Sequence, residues 1–518
     1  MRTHRSGLPR PFAVVPIALI IACALLLTPP AIAGITLPSI FGDAMVLQRD
    51  RLIPVWGTTD GASTIEVAIG GESRTATPNA DGSWRVDLPP MPAGGPHELK
   101  VSTPGETRVF RDILIGEVWI CSGQSNMEWP LRDSIGGADA IDGPHDDRLR
   151  LFRVENAASA EPVDDVNASW ARSSTESAAP FSGVAFFMGR RLREELGVPV
   201  GLIHTAFGGS PAEAWASRGT LESSESLRGI VEDADRRWDE FVRTTLAPWR
   251  EEADRKRARG EDPGPEPQGP FGWMNGYRPT GLYNAMLEPM APFAVAGAVW
   301  YQGESNVGRH EQYRELLPAM IADWRDAFEH PEMPFGIVQL ANFADPYPNG
   351  GSWPALREAQ MLVADADPHA GLVVTIDRGN PTDIHPRDKH AVGDRLARWA
   401  LDSVYGVETP HRGPVCTGMD IDGKTITLTF DTGGRGLATR DGEPPNGFAI
   451  GSASGGWVWA RTSRLEGDTV VLTVKWMTDA AKVRYAWDNN PDWANLCDED
   501  GLPARPFRTV GPVPIGGE

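Results

Sequence analysis

Acyl transfer by a serine needs a hydroxyl held near a base, a base that is neutral near pH 7, and hydrogen-bond donors aimed where charge develops on the acyl oxygen. Ser125 is a candidate for the first. It stands in Cys121-Ser122-Gly123-Gln124-Ser125-Asn126-Met127-Glu128, after the apolar run Val118–Cys121. A serine just beyond the C-terminal end of a parallel strand lies in the crevice where such sheets bind ligands. Gly123 permits a tight turn, and Ser125 can open a helix whose first NH groups favour negative charge. An N-cap serine would occupy the same position for structural reasons alone. His385 is the candidate base. It sits in Thr382-Asp383-Ile384-His385-Pro386, where Pro386 pins the chain and Asp383, two residues away, could orient the imidazole.

Two further stretches have the right chemistry. Ala206-Phe207-Gly208-Gly209-Ser210 offers backbone NH groups unobstructed by side chains. An ordinary turn would look the same. Trp300-Tyr301-Gln302-Gly303-Glu304-Ser305-Asn306 offers polar side chains at a strand end, where solvation is the alternative reading. Four polar clusters, each after a separate apolar strand of one region, point together to a site.

The elements that must carry them are legible as apolar runs. Val118–Cys121, Val198–Ile203, Ala294–Tyr301, Phe335–Leu340 and Gly371–Ile376 read as buried strands. Helical patterns lie between them: Val184, Met188 and Leu192 before the stop at Gly197, and Tyr313 to Phe328. Strand–helix alternation predicts an α/β region with a parallel sheet and helices on both faces, over 113–410. A charged helical insertion at about 221–280 interrupts it. Alternating segments such as Ile65–Ile69 and Trp84–Leu88 predict an N-terminal β-sandwich over 34–112. Thr425–Phe430 and Val470–Val474 predict a second β-rich domain over 411–518.

Bulk properties limit the partners. The formal net charge of −21 would repel nucleic acid and an anionic membrane surface. Arg2, Arg5 and Arg10, the apolar stretch Phe12–Leu27 and the small-residue site Ala31-Ile32-Ala33 read as an export signal over 1–33, so a periplasmic or extracellular protein is expected. No other segment is apolar for long enough to span a membrane. Cys23 falls in the signal. The remaining Cys121, Cys416 and Cys497 make no zinc pattern. Cys121 reads as a small buried residue, whereas Cys416 and Cys497 bracket one β-rich segment and could pair. Eighteen Trp residues suit either a core or the apolar faces of sugar rings.

The stretches GEVWICSGQSNMEWPL (116–131), GLIHTAFGGSPAEAW (201–215), GLYNAMLEPM (281–290), GAVWYQGESN (297–306) and DIHP (383–386) resemble the sialate O-acetylesterases and related carbohydrate acetylesterases of the SGNH-hydrolase superfamily. MVLQRD (45–50) and GLPARPFRT (501–509) extend the likeness over almost the whole chain after the signal. The resemblance implies a three-layer, flavodoxin-like SGNH domain flanked by β-sandwich domains. It implies a secreted serine esterase that removes acetyl groups from mono-, oligo- or polysaccharides, with no metal or cofactor. It makes Ser125 the nucleophile, His385 the base and Asp383 the third triad member, with Glu304 in reserve. Gly209, with Gly208 as neighbour, becomes the backbone oxyanion donor. Gln302 stands where the superfamily usually has an Asn donor, and Glu304 and Asn306 become substrate-binding groups. Loops set sugar choice, so a deacetylase of plant-wall xylan or xyloglucan is an alternative. A carbohydrate-binding protein on an inactive scaffold is another.

Overall fold

The structure is a computed structural model that describes residues 34–61, 64–345, 352–474, 477 and 479–509. The export signal expected over 1–33 lies outside the described residues.

The molecule is organised around β1, Thr107–Gly123, a strand of 17 residues. Its first half pairs antiparallel with Gly94–Ser102 in the N-terminal β region. Its second half becomes the middle of a parallel sheet. The change of texture at residue 113 therefore falls inside one continuous strand. The remaining strands of the sheet are β2 (Leu149–Arg153), β3 (Trp170–Arg172), β4 (Val200–Ala206), β5 (Gly297–Tyr301), β6 (Phe335–Val338) and β7 (Ala370–Val373). They lie in the order β3-β2-β4-β1-β5-β6-β7, all parallel except β3 at the edge. Residues of β4 and β5 are buried throughout, as expected when both faces of a parallel sheet are covered.

Two helices cover each face. Gly183–Leu196 (α2) and Lys389–Ser403 (α5) share a core with Trp119, Leu202 and Val299. His310–Ala327 (α3) and Trp353–Ala366 (α4) share the other with Ile120, Ile203 and Trp300. Ser182 caps α2 by accepting the Ala185 NH, and Gly197 ends it at φ 68°, the positive φ that glycine adopts without strain. The expected insertion is helical over Glu225–Phe241 and Ala247–Ala258. No helix among the described residues is long and apolar enough to cross a membrane.

The chain leaves β1 toward β2 and β4, then returns to β5 on the opposite side. That reversal opens a crevice at the C-terminal ends of β4, β1 and β5, the place where open α/β sheets bind ligands.

The C-terminal segment folds into small antiparallel sheets. Val415–Asp422, Thr425–Asp431, Ser463–Glu466 and Thr469–Thr473 form one, and Phe448–Ser452, Trp457–Trp459, Ala480–Tyr485 and Phe507–Arg508 another. They close over Leu428, Phe430, Ile450 and Val483. Cys416 lies in the first sheet. Cys497 lies in a separate strand pair, Leu437–Thr439 with Leu496–Asp498. The pairing read from their spacing is corrected: Cys121, Cys416 and Cys497 are all free and buried. This segment also braces the loop that carries His385. Asn342 accepts the Gly379 NH through Oδ1 at 2.6 Å and donates to Asn490 Oδ1 at 2.7 Å.

Candidate active site

Ser125 is the first residue of a one-turn helix, α1 (Ser125–Glu128), that starts directly at the end of β1. Gln124, not Ser125, is the N-cap, so the capping role does not explain the serine. Gly123 makes the turn possible: it sits at φ 141°, and a Cβ there would collide with the Tyr301 carbonyl. Gln124 then ties β1 to the β5 loop, its NH donating to Tyr301 O at 3.0 Å and its Oε1 accepting the Gly303 NH at 3.2 Å.

His385 arrives from the loop after β7, 260 residues away along the chain, and its Nε2 lies 2.8 Å from Ser125 Oγ. Asn380 shapes this loop by accepting the NH groups of Thr382 and Asp383 at 2.8 and 3.1 Å. Trp129 covers one face of the imidazole, with ring centroids 5.4 Å apart and nearly parallel planes. Burial holds the imidazole pKa below its usual 6.5. The charge of Lys389 acts the same way, and Asp383 opposes both.

Asp383 faces His385 but does not grip it. Its Oδ1 accepts the His385 backbone NH at 2.9 Å and lies 3.9 Å from Nδ1, beyond hydrogen-bond range. Glu304 is elsewhere: its Oε1 accepts from Asn126 Nδ2 at 2.6 Å, and no bond joins it to His385 among the described residues. Burial raises its pKa. Asp383→Asn is expected to lower kcat about 10- to 100-fold, less than loss of a tightly bonded triad aspartate. Steady-state kinetics beside Glu304→Gln provide the check. A fully active Asp383→Asn with an inactive Glu304→Gln would move the orienting role to Glu304.

The 207–210 turn packs over the nucleophile. A Cβ on Gly208 would lie 3.6 Å from Ser125 Cβ and 2.9 Å from Glu128 Oε2. Gly209 takes φ 76°; its NH has no acceptor among the described residues, while its carbonyl is held by Ser305 Oγ at 2.8 Å. The NH of Ser125, at the first position of α1, has no intrahelical partner and no acceptor among the described residues.

Gln302 does not fit the role expected of it. The residue is 0 % exposed. Its Nε2 spends one hydrogen on Ser210 O at 3.2 Å and the other on Asn306 Oδ1 at 2.7 Å, and its Oε1 accepts from Tyr313 at 3.1 Å. An amide has two hydrogens, so none remains for an oxyanion. The assignment of Gln302 as a donor is therefore withdrawn; it is a strut under the site. Asn306 is also buried, and donates to Glu213 Oε2 at 3.0 Å; its second amide hydrogen has no acceptor among the described residues. The residues missed in the sequence are Asn126, Trp129 and Lys389. Trp129 stood inside a recognised motif, but nothing in its spacing marks it as the cover of His385.

A family model described as carbohydrate esterase, sialic acid-specific acetylesterase, matches residues 271–402. The chain is 28% identical to mouse sialate O-acetylesterase over 92% of its own length and 94% of that protein. It is 27% identical to the rat sialate O-acetylesterase, with the same coverage. Among solved structures, a carbohydrate acetylesterase from Xanthomonas citri is similar at a TM-score of 0.78 and 35% identity, covering 92% of this chain and all of that one.

Proposed function

The chain belongs to the carbohydrate acetylesterase family that includes the sialate O-acetylesterases and is a carboxylic ester hydrolase, and we propose that it removes O-acetyl groups from sugars through a serine acetyl-enzyme on an SGNH-type domain. The observation that carries the mechanism is the 2.8 Å contact of His385 Nε2 with Ser125 Oγ in the crevice between the ends of β4, β1 and β5.

Ser125 Oγ attacks the acetyl carbonyl while His385 Nε2 takes its proton. The NH groups of Ser125 and Gly209 hold the oxyanion, with the uncommitted Asn306 amide hydrogen as a further donor. The acyl carbon–sugar oxygen bond then breaks as His385 protonates that oxygen to release the sugar hydroxyl, and the acetyl group stays on Ser125. A water, deprotonated by the same imidazole, releases acetate and restores the enzyme. Every proton moves through His385, in keeping with a base held neutral near pH 7. Asp383 steadies the imidazolium that forms in each half-reaction. The signal read at residues 1–33 adds export to this proposal.

Turnover of 4-nitrophenyl acetate tests the reaction, and acetate release from O-acetylated sialic acid, acetyl-xylan and acetyl-xyloglucan tests the substrate. The reading expects hydrolysis of the simple ester and of acetylated sialic acid. Hydrolysis of the plant-wall polymers alone would keep the mechanism and replace the sugar. A folded protein inert toward all four would leave a carbohydrate-binding scaffold.

A further inference from the structure

Behind the Ser125–His385 pair runs a second polar chain that the acetyl-transfer reading does not use. Lys389 opens α5 four residues after His385, yet it is 0 % exposed. Its Nζ donates to Asn126 Oδ1 at 2.6 Å. The amide of Asn126 donates in turn to Glu304 Oε1 at 2.6 Å and to the Ile384 carbonyl at 3.1 Å. One amide, on the residue next to Ser125, thus joins three loops: those of the nucleophile, of Glu304 and of His385. Nζ also lies 5.8 Å from the ring centroid of Trp129 and 5.5 Å from that of Tyr301. Trp129 is the ring stacked on His385.

A fully buried lysine is rare and survives where it is paired. Burial draws Lys389 down to about 7, against the opposing pull of Glu304, Asp383 and Asp388. Burial also raises Glu304, against Asn126 and Lys389. The amide between them has an acceptor end and a donor end, and the two partners fix which way it points. Gln124 anchors the start of the one-turn helix to the β5 loop, and Asn126 is the residue within it that reaches the His385 loop.

We propose that Lys389 is a positioning residue: with Glu304 it clamps the Asn126 amide and so fixes Ser125 against His385, and its charge favours the neutral imidazole. The proposal rests on the acetyl-transfer reading of Ser125 and His385. Ser125, Trp129 and Asp383 face the imidazole, Lys389 lies against the Trp129 ring, and Asp377, Arg378, Arg387 and Asp388 line the groove that holds His385. Of these, Lys389 lowers the His385 pKa and Asp383 raises it. Below pH 6.5, where His385 titrates, Lys389 carries its charge. Removing that charge therefore raises the His385 pKa.

The test uses the full-length enzyme and 4-nitrophenyl acetate. Lys389→Met is expected to lower kcat about 10- to 100-fold with KM changed less than about twofold, and to move the acid limb of kcat/KM to higher pH. Asn126→Ala removes the bridge but leaves the cation, so it is expected to lose kcat without moving the limb upward. The double variant Lys389→Met/Glu304→Gln is expected to lose less than the product of the two single losses, because it leaves no unpaired buried charge. Should Lys389→Met fail to fold, the acid limb of the double variant and the kcat of Asn126→Ala decide in its place. Three results would overturn the proposal: unchanged kcat in folded Lys389→Met or Asn126→Ala, an acid limb that stays fixed in the lysine variants, or strictly multiplicative losses in the double variant. A wild-type enzyme without esterase turnover would instead overturn the reading beneath it.

Discussion

Ser125→Ala is expected to keep the fold and lose esterase turnover on the order of 10³-fold or more, as removal of a triad member does. The fold should survive because the hydroxyl is not a cap: Gln124 is the N-cap of α1, and Ser125 Oγ is directed to His385. Removing Oγ leaves the backbone bond from Gln124 to Tyr301 and the Asn126 side-chain network untouched. What is lost is the atom that would form the acetyl-enzyme in the proposed mechanism. The measurement is kcat on 4-nitrophenyl acetate beside a melting curve. 4-Nitrophenyl acetate labelled in its acetyl group should also leave labelled acetyl on Ser125 of the wild type, with 4-nitrophenol released, and none on the variant. Near-wild-type turnover by Ser125→Ala would falsify the covalent mechanism.

His385→Gln is expected to be as severe, about 10³- to 10⁴-fold in kcat, because one imidazole serves as base and then as acid. The double variant with Ser125→Ala should be little worse than either alone, since the two groups act as a unit. The imidazole also fixes the pH profile. Burial is the largest influence on His385, Lys389 adds to it, Asp383 opposes it, and the net result is a pKa below 6.5. In the proposed mechanism the neutral form is the active base. Activity should therefore be lost as pH falls through a midpoint below 6.5 and rise to a plateau above it. A plot of kcat/KM against pH reads this in the free enzyme. A midpoint above 6.5 would mean that Asp383 dominates and closes on Nδ1 in solution.

The candidate site divides into residues whose roles a sequence can suggest and residues it hides. Ser125 and the Gly208-Gly209 turn follow apolar strand runs, and their placement relative to the sheet follows from that adjacency alone. Gln302 follows a strand just as closely, and position made it look like a donor. Its two amide hydrogens are consumed by Ser210 and Asn306, and the Ser210 partner is 92 residues away. No local pattern records that contact. Lys389 is the opposite case. A lysine opening a helix ordinarily faces water, and only the packing of α5 against the end of the sheet turns it inward toward Asn126.

The sequence by itself marks β1, β4, β5, β6 and β7 through their apolar runs, together with their parallel arrangement and the segments that meet at the sheet's C-terminal edge, because apolar periodicity is a local consequence of burial; β2, interrupted by Arg150, and the three-residue β3 carry no such run. It also determined the chemistry available there, since the residue types of Ser125, His385 and Asp383 limit what can be nucleophile, base and orienter. Tertiary structure decided how those groups are held. It set the 3.9 Å gap between Asp383 and His385, assigned Glu304 to Asn126 rather than to the imidazole, and kept Cys416 and Cys497 unpaired in separate sheets. It also ran β1 unbroken through the boundary suggested by composition. Each of these depends on which distant backbone supplies a partner, and hydrogen-bond commitments between residues far apart in the chain leave no mark on the residues beside them.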